Sequence, residues 1–544
     1  MTNTQQPSKR PSPSQDLADL DRRLVSLLVR RTKLLAKIAS DRRAAGKPVV
    51  SAPQEKALWA AWSETVHKAG LSDRLAKQLF IAVNALGYDA AQAPAAREQV
   101  YLLTPASGAV DVSCEAPAST RKAMYFLALA AFAGSPASVG PVVLSDPLIE
   151  MAKAFNQVGG GLSWEGSEAM CRGGQGLSMD GSSPFVGGSQ TTFALMLCAA
   201  LAQQANCRFS GGPELKLMDV GPYSRLLPSL GARLAPIDRR APGLPVRLES
   251  GVETPREVGL PEDCPEEMAA GLALFAWRFE HGLRLRFFPN SPAARGVAEA
   301  APVLARCGIE VRLAPDEIQV SPGTPRVPER PDLPADPVLS TLLLSLARFR
   351  KGKVVLIGSA DADSPMAAEA LGLLEAAGAK LDLAGGRMVC ADGPWPETPV
   401  FAPRERALLP LALCLASAAP KGARVLLPEG GSDEGVAAEE ARTLLETLGK
   451  DFVLLGETGG EMDVKPGFTE PRPVYAPDAA CALAMGALSL AHAPLALENP
   501  GVAAGLWPGF WNLYNRLPAI SGSLFARKEK PDEQPKQRRR IIVR

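Results

Sequence analysis

An internal repeat constrains this chain more than any single motif. An apolar, helix-like segment runs into a glycine and then a short extended segment at Gly159 (AFNQVGGGLSW), Gly231 (LLPSLGARLAP), Gly308 (VLARCGIEVRL), Gly378 (LLEAAGAKLDL) and Gly449 (LLETLGKDFVL). The intervals are 72, 77, 70 and 71 residues, and a further helix-like segment, FWNLYNRL, ends at Leu517, 68 residues after Gly449. Self-similarity at such a period marks one supersecondary unit used repeatedly, so the region from Tyr101 to Leu517 reads as six copies of one α/β unit. Glycine is expected at the junction, because the position after a helix favours positive φ and glycine adopts it with no Cβ penalty.

Composition accommodates that reading. The chain has 544 residues, 46% of them hydrophobic, enough for several cores. A net charge of +1 gives no global basic field to recruit nucleic acid or an anionic membrane. Nine cysteines form no CxxC pattern, and their odd number without a signal peptide predicts reduced thiols and a cytoplasmic location. His67, His281 and His492 are far apart in sequence and read as solvated or core residues, so neither a metal nor a cofactor is expected. The apolar stretch from Ala479 to Leu497 contains Ser489, His492 and Pro494, which reads as a buried helix turning into a strand and not as a membrane span.

Residues 1–14 are rich in Ser, Pro and Gln and read as disordered. Residues 15–92 read as a small all-helical domain, 93–99 as an Ala/Pro linker, and 525–544 as a charged, solubilising tail. In the helical region Leu17, Leu20, Leu24, Leu27, Leu28, Leu34, Leu35 and Ile38 recur at three and four residues. A helix spanning them is about 45 Å long at 1.5 Å per residue and needs a partner. Gly46, Lys47 and Pro48 break it, and two more helices follow over 57–62 and 75–86.

The segment DLADLDRRLVSLLVRRTKLLAKIASDRRAAGKPV followed by QE resembles the all-helical chorismate mutase family. The resemblance implies an intertwined homodimer in which cationic side chains clamp the two carboxylates of chorismate. Arg31 falls on the family's first arginine of the long helix, Arg42 replaces its lysine, and Glu55 falls on its glutamate. Arg31 and Arg42 are eleven residues apart, three helical turns, so they share a face and each suits one carboxylate. Ser14, Ser51, Gln54, Gly87 and Ala91 depart from the family's polar and charged positions, which leaves a solvated arginine face as the alternative.

The segment PASTRKAMYFLALAAFAGSPASVGPVVLSDPLIEMAKAFNQVGG resembles the opening of EPSP synthase, 3-phosphoshikimate 1-carboxyvinyltransferase. The resemblance implies an α/β fold: a two-lobed inverted barrel of six ββαβαβ-like repeats, with residues 100–118 and 336–524 in the first lobe and 119–335 in the second. It also implies enolpyruvyl transfer from phosphoenolpyruvate to shikimate 3-phosphate, with no metal or organic cofactor. Glu434 is then the proton-transfer candidate, and Thr191, Asp336, Asp478, Arg121 and Lys122 are the substrate contacts.

Reactants with two phosphates and two carboxylates need a cationic cleft, in which each charge-assisted hydrogen bond contributes roughly 1.5 to 3 kcal/mol. Seven family cations stand here as Thr120, Tyr125, Met218, Asp433, Ala437, Ala480 and Gly501, and Pro265, Glu266 and Glu267 replace a phosphate-gripping Ser-Ser-Gln. Arg121, Lys122, Lys216, Arg295, Arg404 and Arg406 lie near the affected motifs and read as ordinary surface charge, with resupply of the cleft as the alternative. Two functional readings follow. One is a shikimate/chorismate-pathway transferase fused to a mutase-like module; the other is a catalytically inactive scaffold or regulator of the same pathway. A diverged enzyme acting on a neutral or cationic ligand is a third.

Overall fold

Two units separate by contact, Met1–Gln99 and Val100–Arg544. The structure is a computed structural model that describes residues 101–522 and 524, except 238–241, 252–254, 429–433, 456–459, 469–472 and 493. Before these it describes residues 24, 27, 28, 30, 31, 34, 58–60, 62–64, 68, 80 and 83, all helical.

The larger unit is built on two hydrophobic cores. One joins buried residues from Ala118 to Val320, apart from Val143; the other joins Leu103 to Ala116 with Ala335 to Ile520. The chain passes between the cores twice, and the two crossings are pinned to each other. Ala118 pairs antiparallel with Ala335, Ser119 N donates to Pro334 O at 2.8 Å, and Asp336 N donates to Pro117 O at 2.7 Å.

Helices that are apolar all round must be central, because no face of them can be left to water. Thr120–Ala133, Gln190–Ala202 and Glu266–Phe275 are such helices in the first core, and Pro337–Phe349, Leu409–Ala418 and Ala479–Leu488 in the second. Sheets surround them. The first core carries two three-stranded sheets and one four-stranded sheet, and the second carries sheets of five, four and two strands, among the described residues. Val110–Glu115, in the five-stranded sheet, alternates buried and exposed along its length, as a strand with one face on the core must.

The glycine punctuation has its expected backbone. Gly159, Gly231, Gly308, Gly378 and Gly449 all have positive φ, between 67° and 94°. Strands Leu162–Glu165, Ala232–Pro236, Val311–Leu313, Lys380–Asp382 and Phe452–Leu455 follow within three residues. The apolar segment near the end is a helix, Ala479–Leu488, followed by the strand Leu495–Leu497. Among the described residues no helix is long and apolar enough to cross a membrane. All nine cysteines are buried and unpaired.

In the smaller unit, Phe80 and Val83 are buried, and Trp59 and Trp62 each pack edge-on against Phe80 at 5.4 Å. Leu24, Leu27 and Leu34 are 55%, 62% and 56% exposed. The expected disordered start, the linker and the charged tail lie outside the described residues.

Candidate functional site

The helix Thr120–Ala133 begins just after the chain crosses between the cores, so its first turn lies at the junction of the lobes. Ser119 caps it, its Oγ accepting from Lys122 N at 3.3 Å. From Lys122 to Phe132 every residue of the helix is buried, which points the Lys122 ammonium inward. Only 4% of that side chain is exposed. A charge so deeply buried requires partners, and Lys122 has three. Its Nζ donates to Glu299 O at 2.7 Å, and lies 2.9 Å from Glu299 Oε2 and 3.3 Å from Asp361 Oδ2. Glu299 comes from the helix Pro292–Arg306, and its other carboxylate oxygen accepts from Ser364 Oγ. Ser364 also caps the helix Pro365–Ala376, accepting from Ala367 N at 3.2 Å.

A second ionic group involves Arg121, one residue back. Its Nη1 pairs with Glu266, the first residue of the helix Glu266–Phe275. Arg295 Nε sits 3.7 Å from the other oxygen of Glu266 and 2.7 Å from Glu405 Oε1. Glu369 fixes that loop, its Oε1 accepting from Arg404 N at 2.8 Å and Glu405 N at 2.9 Å. Arg121, Lys122, Glu266, Arg295 and Glu299 belong to the segment that forms the first core, and Asp361, Ser364 and Glu405 to the segment that forms the second. The lobes are therefore joined by Lys122–Asp361, Ser364–Glu299 and Arg295–Glu405.

Three cations here meet four carboxylates, and none of the three is left over. Burial pushes the Glu405 carboxyl up to about 7; the charge of Glu266 adds to the rise and Arg295 opposes it. Burial and then Glu266 raise the Glu267 carboxyl as well. Tyr125 is a fully buried phenol whose burial raises its pKa.

Asp336 does a different job in the same neighbourhood. One oxygen caps the helix Pro337–Phe349, accepting from Val338 N and Leu339 N at 3.1 Å each, while the other accepts from Thr120 N at 3.2 Å. Burial raises its carboxyl and these three N–H groups pull it back down. A single carboxylate thus serves two helix N-termini, one from each lobe.

Arg121, Lys122 and Asp336 are brought together, while the other sequence-derived candidates sit elsewhere. Thr191 is the second residue of the helix Gln190–Ala202. Asp478 caps Ala479–Leu488, accepting from Cys481 N at 2.8 Å. Glu434 is the first residue of the helix Glu434–Thr447. Of the cations read as surface charge, Arg121 and Arg295 are ion-paired at the lobe junction and Lys122 is fully buried, because each has an acidic partner distant in sequence. Arg406 is bound to Glu440. Among the described residues Lys216 and the Arg404 side chain have no ion pair.

Glu299, Asp361, Ser364 and Glu405 were not singled out from sequence. A usable signal existed for Glu299, a lone carboxylate among Val297, Ala300 and Ala301 on an apolar helix face. In the helical unit, Arg31 Nη1 donates to Val83 O at 3.3 Å, and its guanidinium lies 5.8 Å from the centre of the Trp62 ring. Arg42 and Glu55 lie outside the described residues.

Residues 14–86 match the family model of chorismate mutase type II. Comparison with curated proteins found no match. Among solved structures, an EPSP synthase from Acinetobacter baumannii superposes with a TM-score of 0.60 at 16% identity, covering 77% of this chain and 98% of that one. A second structure of that synthase gives 0.58 at 16% identity, covering 76% of this chain and 97% of that one. The enolpyruvyl transferase NikO from Streptomyces tendae gives 0.57 at 15% identity, covering 75% and 94%. At such identities the likeness is one of fold, so this chain joins a segment matching chorismate mutase type II to a unit with the fold of the EPSP synthases.

Proposed function

We propose that this chain is a cytoplasmic protein of the shikimate/chorismate branch, in which an enolpyruvyl-transferase unit is fused to a chorismate-mutase module. The observation that carries the reading is the coincidence of two independent likenesses, one of sequence and one of fold, on enzymes of the same branch. The larger unit is then an inverted barrel of six repeats, its lobes formed by residues 100–118 with 336–524 and by 119–335. Its reaction would protonate the methylene of phosphoenolpyruvate, add a hydroxyl of shikimate 3-phosphate to the resulting cation with loss of the hydroxyl proton, and then expel phosphate as the new methyl group gives up a proton and the vinyl double bond re-forms. Glu434 is the proton-transfer residue in this scheme. Thr191, Asp478, Arg121 and Lys122 hold the reactants, and Asp336 orients the two helix ends. The exposed Leu24, Leu27 and Leu34 in the smaller unit support a homodimer through that module, where Arg31, Arg42 and Glu55 bind chorismate.

Phosphate release on mixing the full chain with phosphoenolpyruvate and shikimate 3-phosphate tests the transferase half; no release at any concentration of either reactant refutes it. Loss of chorismate absorbance tests the mutase half, and Arg31→Ala should abolish that loss.

One observation favours the second reading, a non-catalytic regulator of the same branch. Arg121, Lys122 and Arg295 are each engaged by the protein's own carboxylates. Separating a buried pair costs roughly 3 to 5 kcal/mol, more than the roughly 1.5 to 3 kcal/mol that a charge-assisted bond to a reactant returns. The readings separate on Glu266→Gln, which releases Arg121 and leaves Arg295 held by Glu405 alone. If these pairs are what bars the reactants, binding of phosphoenolpyruvate should tighten about tenfold or more, the equivalent of one such bond.

A further inference from the structure

A cavity of about 440 Å³ lies away from the junction of the cores, on the outer face of a three-stranded sheet. The sheet runs Cys207–Phe209, Val246–Ser250, Ala232–Pro236. Cys207, Phe209, Val246 and Leu248 are buried on its inner face, which leaves Arg208 and Arg247 on the outside. The antiparallel register sets Arg208 directly opposite Arg247. Like charges in that relation repel and weaken the sheet unless a counter-ion lies between them. Glu249 reaches Arg247 at 2.6 Å, but Arg208 has no carboxylate partner among the described residues. Arg233, also exposed, adds a third positive charge on the same face, opposite Glu249.

The other wall is held by backbone. Gly181 N donates to Asn206 O at 2.7 Å, Arg208 N to Ser182 O at 3.0 Å and Ser210 N to Pro184 O at 3.1 Å, so residues 181–184 run alongside the strand that carries Arg208. Ser182 Oγ is spent on Met179 O at 2.6 Å, whereas Ser183 lines the cavity without such a bond.

We propose that this pocket binds the phosphate of a small phosphorylated organic molecule, with Arg208 and Arg247 as its cationic ligands and Ser183 as a hydroxyl donor. Two guanidinium forks match the geometry of a phosphate. The cavity lies within the ~300 to 1,000 Å³ range of small-ligand sites, so it has room for an organic body beyond the phosphate. None of its residues belongs to the ion-paired group at the lobe junction.

The test is calorimetric titration of the full chain with phenyl phosphate and with inorganic phosphate, at constant low ionic strength. Wild type should bind phenyl phosphate more tightly than inorganic phosphate. Arg208→Gln and Arg247→Gln should each weaken it about tenfold or more, the loss of one charge-assisted contact. Arg424→Gln, on a sheet of the other lobe, should leave it unchanged. Without ligand, Arg208→Gln should melt no lower than wild type, because a repulsion has been removed. Failure to bind phenyl phosphate at millimolar concentration overturns the proposal. So does undiminished binding by both arginine variants, including binding that is lost only in Lys122→Met, which would move the phosphate to the lobe junction.

Discussion

Replacing Lys122 with methionine removes the one cation shared by Glu299 and Asp361 while keeping the length of the side chain. The two carboxylates are then buried side by side, their side chains only 5% and 9% exposed, with no positive charge between them. Breaking a buried pair by deleting one partner destabilises by roughly 3 to 5 kcal/mol. An independent route gives a similar figure, since protonating an ordinary carboxyl at pH 7 costs about 3.7 kcal/mol. We therefore expect Lys122→Met to lose about 3 to 4 kcal/mol in guanidinium denaturation at pH 7. The deficit should shrink as the pH is lowered toward 4, where neutralising a carboxyl costs little. Methionine, glutamine and asparagine at positions 122, 299 and 361 together should restore most of the loss, because no unpaired charge then remains. A single variant within about 1 kcal/mol of wild type, the scale of an exposed ion pair, would refute the argument that this charge group is buried and indispensable.

Glu405 predicts a pH dependence. Its carboxyl rises from 4.5 to about 7 on folding, so the native state keeps a proton that the unfolded chain has released, and stability falls as pH rises through that window. The contribution is at most about 3 kcal/mol; Glu405→Gln should flatten the slope between pH 5 and 8, though not abolish it, because Glu267 and Asp336 are shifted the same way. An identical slope in the variant would exclude Glu405 as its source. Asp336→Ala should cost about 2 kcal/mol or more in a thermal melt, from a lost helix cap and an orphaned Thr120 N–H. Asp336→Asn, which keeps one acceptor oxygen but turns an NH2 toward the other helix end, should recover only part of that; a full recovery would mean that the bond to Thr120 N contributes little.

Features set by neighbours along the chain were legible in the sequence. The glycines that end helices could be placed because positive φ is a local backbone demand, and the stretch around Ala479 resolved into helix and strand because Ser489 and Pro494 interrupt it. The pairing of the cations was not legible. Lys122 finds Glu299 across 177 residues, and Arg121 finds Glu266 across 145. Periodicity carries no information about such encounters, so a lysine beside a long apolar run looked like surface charge. Asp336 was legible as a residue that matters but not as a cap for two helices, because the second helix begins 216 residues earlier.

The arrangement of these charges also limits what can enter between the lobes. A helix N-terminus attracts anions through its free N–H groups and dipole. Two such ends converge on Asp336, whose carboxylate already satisfies them. Beside it, Glu266, Glu299, Asp361 and Glu405 occupy the three cations. These two helix ends and three cations are occupied from within, and the same carboxylates hold the two cores together. An anionic reactant that took Lys122 or Arg295 would have to displace a carboxylate and loosen Lys122–Asp361 or Arg295–Glu405. Anion binding at the junction and closure of the lobes are consequently opposed in this chain, so any phosphate-bearing reactant that binds the junction should lower, not raise, the cohesion between the lobes.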